Sequence, residues 1–148
     1  MKHFDYFAPT EIIFGAGRVT EAGALAARYG KKAMLVTVPE FPAVAELYAK
    51  VKKSLADAGV ACVHYDGVIP NPTTELVTRG AELAKAEGVD VVIGLGGGSS
   101  MDTAKAIAVE ATHPGTAWDY NCHTAGPTEQ TLPILAISTT AGTGSQTT

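Results

Sequence analysis

The sequence predicts an α/β fold of the doubly wound kind, a parallel sheet with flanking helices, and three observations point there. Short apolar runs alternate with longer segments of helical periodicity along almost the whole chain. The runs at 33–38 and 89–95 are close to continuously apolar, which suits strands covered on both faces by crossover helices. Glycine, or an Asn-Pro pair, punctuates most junctions between these segments.

Taken in order, residues 11–14 are the first strand candidate, closed by Gly15 and Gly17, and residues 18–29 follow as an Ala-rich helix that stops at Gly30. Residues 33–38 are the next strand candidate. Within 39–59, Ala43, Leu47, Val51 and Leu55 recur every four residues, with Pro42 suited to a first helical turn and Gly59 closing the helix. Residues 60–65 read as a strand. Asn71 and Pro72 then turn the chain, and Thr73 caps a helix whose Leu76, Val77, Gly80, Leu83 and Ala84 share one face until Gly88. The run 89–95 is the most buried strand candidate, and it passes through Gly96-Gly97-Gly98-Ser99-Ser100 into a helix with Met101, Ala104, Ala108 and Ala111 on one side. Residues 112–131, rich in Thr, Pro and Gly and lacking Lys and Arg, read as a long irregular loop with no secondary structure of its own. Residues 133–137 are the last strand candidate. A polar Gly/Thr stretch follows and the sequence stops at Thr148, so the sheet is expected to be incomplete at its C-terminal end.

Composition narrows the class. The chain has 148 residues, 46% of them apolar, and a net charge of −4, which suits one domain and is too apolar for disorder. Two cysteines are too few for a disulfide scaffold. Lys and Arg are spread along a mildly acidic chain, so no basic face is expected for nucleic acid. No apolar stretch reaches the ~18 residues of a membrane span and the N-terminus lacks a signal-peptide pattern, so no membrane partner and a cytoplasmic location with reduced thiols are expected.

The segment from Val91 to Lys105 carries the strongest chemical signal: strand, glycine turn, helix start. Without Cβ atoms, Gly96, Gly97 and Gly98 let the backbone approach a phosphate closely. The free N–H groups and dipole of the following helix favour an anion there, and Ser99 can add a hydroxyl donor. At the carboxyl end of a central strand this is where nucleotide pyrophosphates bind in doubly wound folds. Ser99 and Asp102 also have the spacing of a capping box, which would give Asp102 a purely local task. A second glycine pair, Gly15 and Gly17, lacks a third glycine and reads as a tight turn. For a metal, Asp119, Cys122 and His123 are the nearest grouping, without a recognised ligand spacing.

Together, the 96–105 segment and the later Pro133-Ile134-Leu135-Ala136-Ile137-Ser138-Thr139-Thr140-Ala141-Gly142-Thr143-Gly144-Ser145 resemble the iron-containing (group III) alcohol dehydrogenases. Phe14-Gly15-Ala16-Gly17, Asn71-Pro72-Thr73 and Trp118-Asp119-Tyr120 fall in the order that family shows, so the resemblance covers nearly the whole chain. It implies that residues 1–148 are the Rossmann-like dinucleotide-binding part of a longer enzyme, without its helical metal-binding domain. The iron or zinc of such an enzyme, and its catalytic groups, would then lie beyond Thr148. By the same resemblance Gly97, Gly98 and Ser99 bind the pyrophosphate of NAD or NADP, with Asn71 and Asp102 nearby. Thr139, Thr140 and Thr143 line the cofactor toward its nicotinamide end. The implied reaction is hydride transfer between a primary alcohol and its aldehyde, and a homo-oligomer is expected.

Two departures from the family pattern stand out. Val38 occupies the place of an acidic residue that favours NAD, which suggests relaxed selection or a tilt toward NADP, with Thr37 assisting. Gln146 stands where the family usually has Glu. The alternatives are a nucleotide-binding fragment with no catalysis of its own and an NAD-dependent lyase of the dehydroquinate-synthase type.

Overall fold

Four parallel strands in the order β2-β1-β3-β4 form the sheet of the computed structural model, which describes residues 3–5, 7–121 and 125–148. The strands are β1 (Lys32–Val36), β2 (Ala61–Tyr65), β3 (Val91–Gly96) and β4 (Ile134–Ser138). The helices are α1 (Ala22–Ala26), α2 (Pro42–Asp57), α3 (Thr74–Glu87) and α4 (Gly98–Glu110). The doubly wound α/β class is therefore present, with the limits of these four strands shifted by a residue or two from the expected runs.

Period-two geometry divides each central strand between two cores. Ala33 and Leu35 of β1 and Val91, Ile93 and Leu95 of β3 pack with α1 and α2; Met34 and Val36 of β1 and Val92 of β3 pack with α3 and α4. Both strands thus have helices on both faces, which is why their sequences are apolar without alternation.

The helices follow their sequence signals closely. Pro42 opens α2. Thr73 caps α3 by accepting the Leu76 N–H, and Gly88 ends it in the left-handed conformation at φ 62°. The buried stripe of α2 is Tyr48, Val51 and Leu55, whereas Ala43 is exposed. The four-residue spacing thus finds Val51 and Leu55 but not Tyr48, which lies three residues before Val51 on the same face.

Three expectations need correction. Residues 11–14 are not a strand: they pair with none of the four, and Ile12 and Phe14 are 71% and 91% exposed. An apolar run becomes a strand only where a neighbouring ladder accepts it. Residues 18–29 are not one helix but a 3-10 turn at Arg18–Glu21 followed by the short α1. Its end tightens as the Arg28 and Tyr29 N–H groups turn to the Leu25 and Ala26 carbonyls three residues back. The 112–131 segment is not wholly irregular, since Ala117–Tyr120 forms a 3-10 turn. There Asp119 accepts from the Thr116 N–H at 2.8 Å and completes a capping box. Gly17, at φ 78°, sits in the tight turn expected of it.

The order of the strands places the site. From β1 the chain crosses by α2 to β2 on one flank, and β3 lies on the other flank of β1. The carboxyl ends of β1 and β3 therefore border the point where winding reverses, the place where doubly wound sheets open a crevice.

Candidate functional site

The three consecutive glycines at the end of β3 are not equivalent. Gly96 has φ 145°, and a Cβ there would stand 2.6 Å from the Ser100 hydroxyl oxygen, so the turn itself demands glycine. Gly97 has an ordinary φ of −83°, and a Cβ on it would come no nearer than 3.5 Å to its closest neighbour, Thr140 Cγ2. A Cβ on Gly98 would meet only Asp102 Oδ2, at 3.8 Å. Among the described residues nothing requires glycine at these two places, and the missing side chains leave open space over the first turn of α4.

That space faces a helix N-terminus. Gly97 is the N-cap, and its carbonyl accepts from the Ser100 and Met101 N–H groups at 3.1 and 3.3 Å. The N–H groups of Gly98 and Ser99 precede the first intrahelical bonds and carry the positive end of the dipole of α4. The Ser99–Asp102 capping box is absent: the cap is Gly97, with no side-chain bond to it. Ser99 lies inside the first turn instead, and Asp102 has another partner.

That partner comes from the loop after β4. The loop leaves the strand with the Thr139 N–H donating to the Gly96 carbonyl at 3.0 Å, and Thr140 stands beside Gly97. Thr139, Thr140 and Thr143 are exposed along it. The loop then returns to α4 at Ser145, which is buried at 5% exposure. The Ser145 hydroxyl donates to Asp102 Oδ1 at 2.5 Å and accepts from Lys105 Nζ at 3.0 Å. Lys105 also donates to the Ser145 carbonyl and the Thr148 hydroxyl. Burial holds the Lys105 pKa below its ordinary value, and the nearby Asp102 carboxylate opposes that shift. Neither Lys105 nor Ser145 was singled out from sequence. The three-residue spacing of Asp102 and Lys105 on one helix was the available signal.

The neighbouring loops supply the rest. Thr37, directly after β1, is fully buried; its hydroxyl donates to the Val38 carbonyl at 2.7 Å and lies 2.9 Å from His64 Nε2. The Thr37 hydroxyl is thus engaged within the chain by Val38 and His64 rather than exposed. Burial lowers the His64 pKa, Lys52 adds to that, and Asp66 and Glu40 oppose it. Val38 is half-buried beside this network. Asn71 lies exposed between β2 and α3 at φ 54°, a left-handed conformation that Asn tolerates better than most residues. Gly96, Gly97, Gly98, Ser99, Asp102, Thr139 and Thr140 thus come together around the start of α4. Thr143 lies further along the same loop, and Val38 and Asn71 stand on adjacent loops at the same end of the sheet.

Two cavities lie elsewhere. One of about 800 Å³ is lined by Thr74, Arg79 and Trp118 among others, and one of about 620 Å³ by His113, Tyr120 and Thr128 among others. Neither includes the glycine turn. Among the described residues no three His, Cys, Asp or Glu side chains gather as a metal site, and no helix is long and apolar enough to cross a membrane. Of the loop grouping considered for a metal, Cys122 and His123 lie outside the described residues.

Comparison with known proteins bears on this geometry. The chain is 45% identical over its whole length to choline dehydrogenase of Bacillus subtilis, and spans 38% of that protein. It is 36% identical to a probable NADH-dependent butanol dehydrogenase of the same organism, covering 99% of this chain and 38% of the relative. The solved structure of an archaeal alcohol dehydrogenase from a Red Sea brine pool superposes with a TM-score of 0.89 at 41% identity, covering 97% of this chain and 38% of that one. The chain thus spans well under half the length of these relatives, and its glycine turn and Thr-rich loop lie within the shared part. The family model for iron-containing alcohol dehydrogenase matches residues 9–148. A match of that extent leaves the dehydroquinate-synthase alternative without support, and the chain belongs to the iron-containing alcohol dehydrogenase family.

Proposed function

We propose that this chain is the dinucleotide-binding part of an NAD(P)-dependent alcohol dehydrogenase, and that the start of α4 is its cofactor site. One observation carries the reading: Gly97 and Gly98 lack side chains where the fold has room for them, at a helix N-terminus beside the sheet's switch point. Glycine there is explained by the close approach of a ligand, and an anionic one suits the N–H groups of Gly98 and Ser99.

In this reading Gly96, Gly97, Gly98 and Ser99 hold the pyrophosphate, with Asn71 and Asp102 close by. Thr139, Thr140 and Thr143 offer hydroxyl groups along the way to the nicotinamide, which supplies the hydride acceptor or donor when bound. Val38 lies toward the adenosine ribose. An aliphatic side chain there neither bonds a ribose 2′-hydroxyl nor repels a 2′-phosphate, so the site accepts both NAD and NADP, with a tilt toward NADP. The substrate in the longer enzyme is a small primary alcohol or its aldehyde, and its location is the cytoplasm. Iron is implied by the family's name, but the described residues do not gather a donor set for it. The proposed role of this chain therefore stops at binding and orienting the dinucleotide.

Calorimetric titration of the 148-residue chain with NADH and then NADPH tests this. Saturable binding of either supports the site, and the ratio of the affinities tests the tilt. A chain with a native-like circular dichroism spectrum that binds neither at millimolar cofactor refutes the reading.

A further inference from the structure

Asp102 and Lys105 lie one turn apart on α4, and both end on Ser145. The loop from Thr139 to Gly144 is thereby fixed at both ends. At one end the Thr139 N–H bonds to Gly96, and at the other the Ser145 hydroxyl and carbonyl are held by the carboxylate and the ammonium. Between these anchors the Thr-Thr-Ala-Gly-Thr stretch of residues 139–143 is exposed, and the half-buried Gly144 turns at φ 87°. Its side-chain bonds are local, such as Ser138 donating to the Thr140 carbonyl at 2.9 Å. So small and glycine-rich a segment is costly in chain entropy to order when a ligand arrives.

We propose that Asp102 and Lys105 are positioning residues that act through Ser145 to preset the 139–144 loop against the glycine turn. The inference rests on the dinucleotide reading above and refines it. A carboxylate set against a pyrophosphate repels it. With Oδ1 occupied by the Ser145 hydroxyl, Asp102 serves the site by holding the loop rather than by touching the cofactor. Lys105 likewise spends its bonds inside the chain, on the Ser145 carbonyl, the Ser145 hydroxyl and the Thr148 hydroxyl. Its partial burial beside Asp102 suits an internal clasp rather than an exposed anion ligand.

The test compares the full 148-residue chain with its Ser145→Ala, Lys105→Met and Lys105→Arg variants. Three readouts are taken: NADH affinity by calorimetry, backbone amide exchange across 139–148, and the thermal midpoint. The expected result is that Ser145→Ala and Lys105→Met weaken NADH by about five- to tenfold. They also speed exchange in the 139–144 loop while the thermal midpoint stays near that of the parent, and Lys105→Arg recovers most of the affinity. Unchanged loop exchange in both disrupting variants overturns the proposal, as does a loosened loop with NADH affinity intact. If the parent chain itself fails to bind NADH, the dinucleotide reading fails instead, and the exchange data alone decide whether the clasp orders the loop.

Discussion

Gly94 of β3 lies so close to Met101 of α4 that a Cβ on the glycine would stand 2.9 Å from the Met101 Cα and 2.9 Å from the Ala104 Cβ. The helix whose N-terminus forms the candidate site is therefore seated directly on the strand that leads into it. Replacing Gly94 with Ala forces the helix backbone to move, because neither neighbour is a flexible side-chain end. The expected cost is about 1–3 kcal/mol of stability, read from urea unfolding, with a loss of cofactor affinity as the turn shifts. An alanine variant of parental stability would show that α4 slides freely on β3.

Gly97→Ala and Gly98→Ala should behave in the opposite way. Among the described residues their Cβ atoms meet nothing nearer than 3.5 and 3.8 Å, so the fold accepts them. Stability is expected to change by no more than about 1 kcal/mol, Gly98→Ala gaining from the helix preference of alanine. NADH affinity is expected to fall at least about tenfold, or ~1.4 kcal/mol. Equal affinity in parent and variants would mean that no phosphate approaches this turn.

Cofactor choice is testable at Val38. If Val38 faces the adenosine ribose as proposed, Asp at this half-buried position beside the Thr37–His64 network places a charge that repels a 2′-phosphate. The expected outcome for Val38→Asp is a shift in the NADH to NADPH affinity ratio of about tenfold toward NADH. A ratio unaltered by the carboxylate would place the adenosine ribose elsewhere.

Asp90 gives the clearest pH dependence. Its Oδ2 accepts the Lys31 and Lys32 N–H groups at 2.7 and 2.9 Å, tying the start of β3 to the start of β1. These bonds hold its pKa below the ordinary carboxylate value, the Lys31 bond first and the Lys32 bond next. A group whose folded pKa is depressed contributes stability above its unfolded pKa of about 3.9 and loses it as pH falls through the lower folded value. Asp90→Ala should therefore cost about 1 kcal/mol near neutral pH, with the gap to the parent closing in acid below about pH 4. Denaturant titrations of both proteins at several pH values check the sign.

Self-association is expected at high concentration. The sheet ends on β2 and β4, and Phe4, Phe7, Ile12 and Phe14 are 86%, 88%, 71% and 91% exposed. Unpaired strand edges and exposed apolar side chains both invite pairing. Light scattering should rise with concentration, and Phe14→Ser should reduce the rise. A monomer at every concentration would contradict the expectation.

The sequence by itself determined the class of this fold, because burial on two faces leaves a mark that neighbouring residues carry locally. The continuous apolar runs of β1 and β3, the Thr73 cap and the Gly88 stop all depend on contacts within a few residues, and each was legible. The glycine turn was legible too, since a strand, three glycines and a helix are contiguous. Only the tertiary structure separated Gly96, which the turn requires, from Gly97 and Gly98, which it does not, because the difference lies in what a Cβ would meet. Tertiary structure also left residues 11–14 without a ladder and turned the Thr37 hydroxyl inward to His64. It joined Asp102 and Lys105 to Ser145 across some forty positions of sequence. Spacing along one chain records periodicity and local caps; it does not record which distant backbone a side chain will reach once α4 has docked on β3.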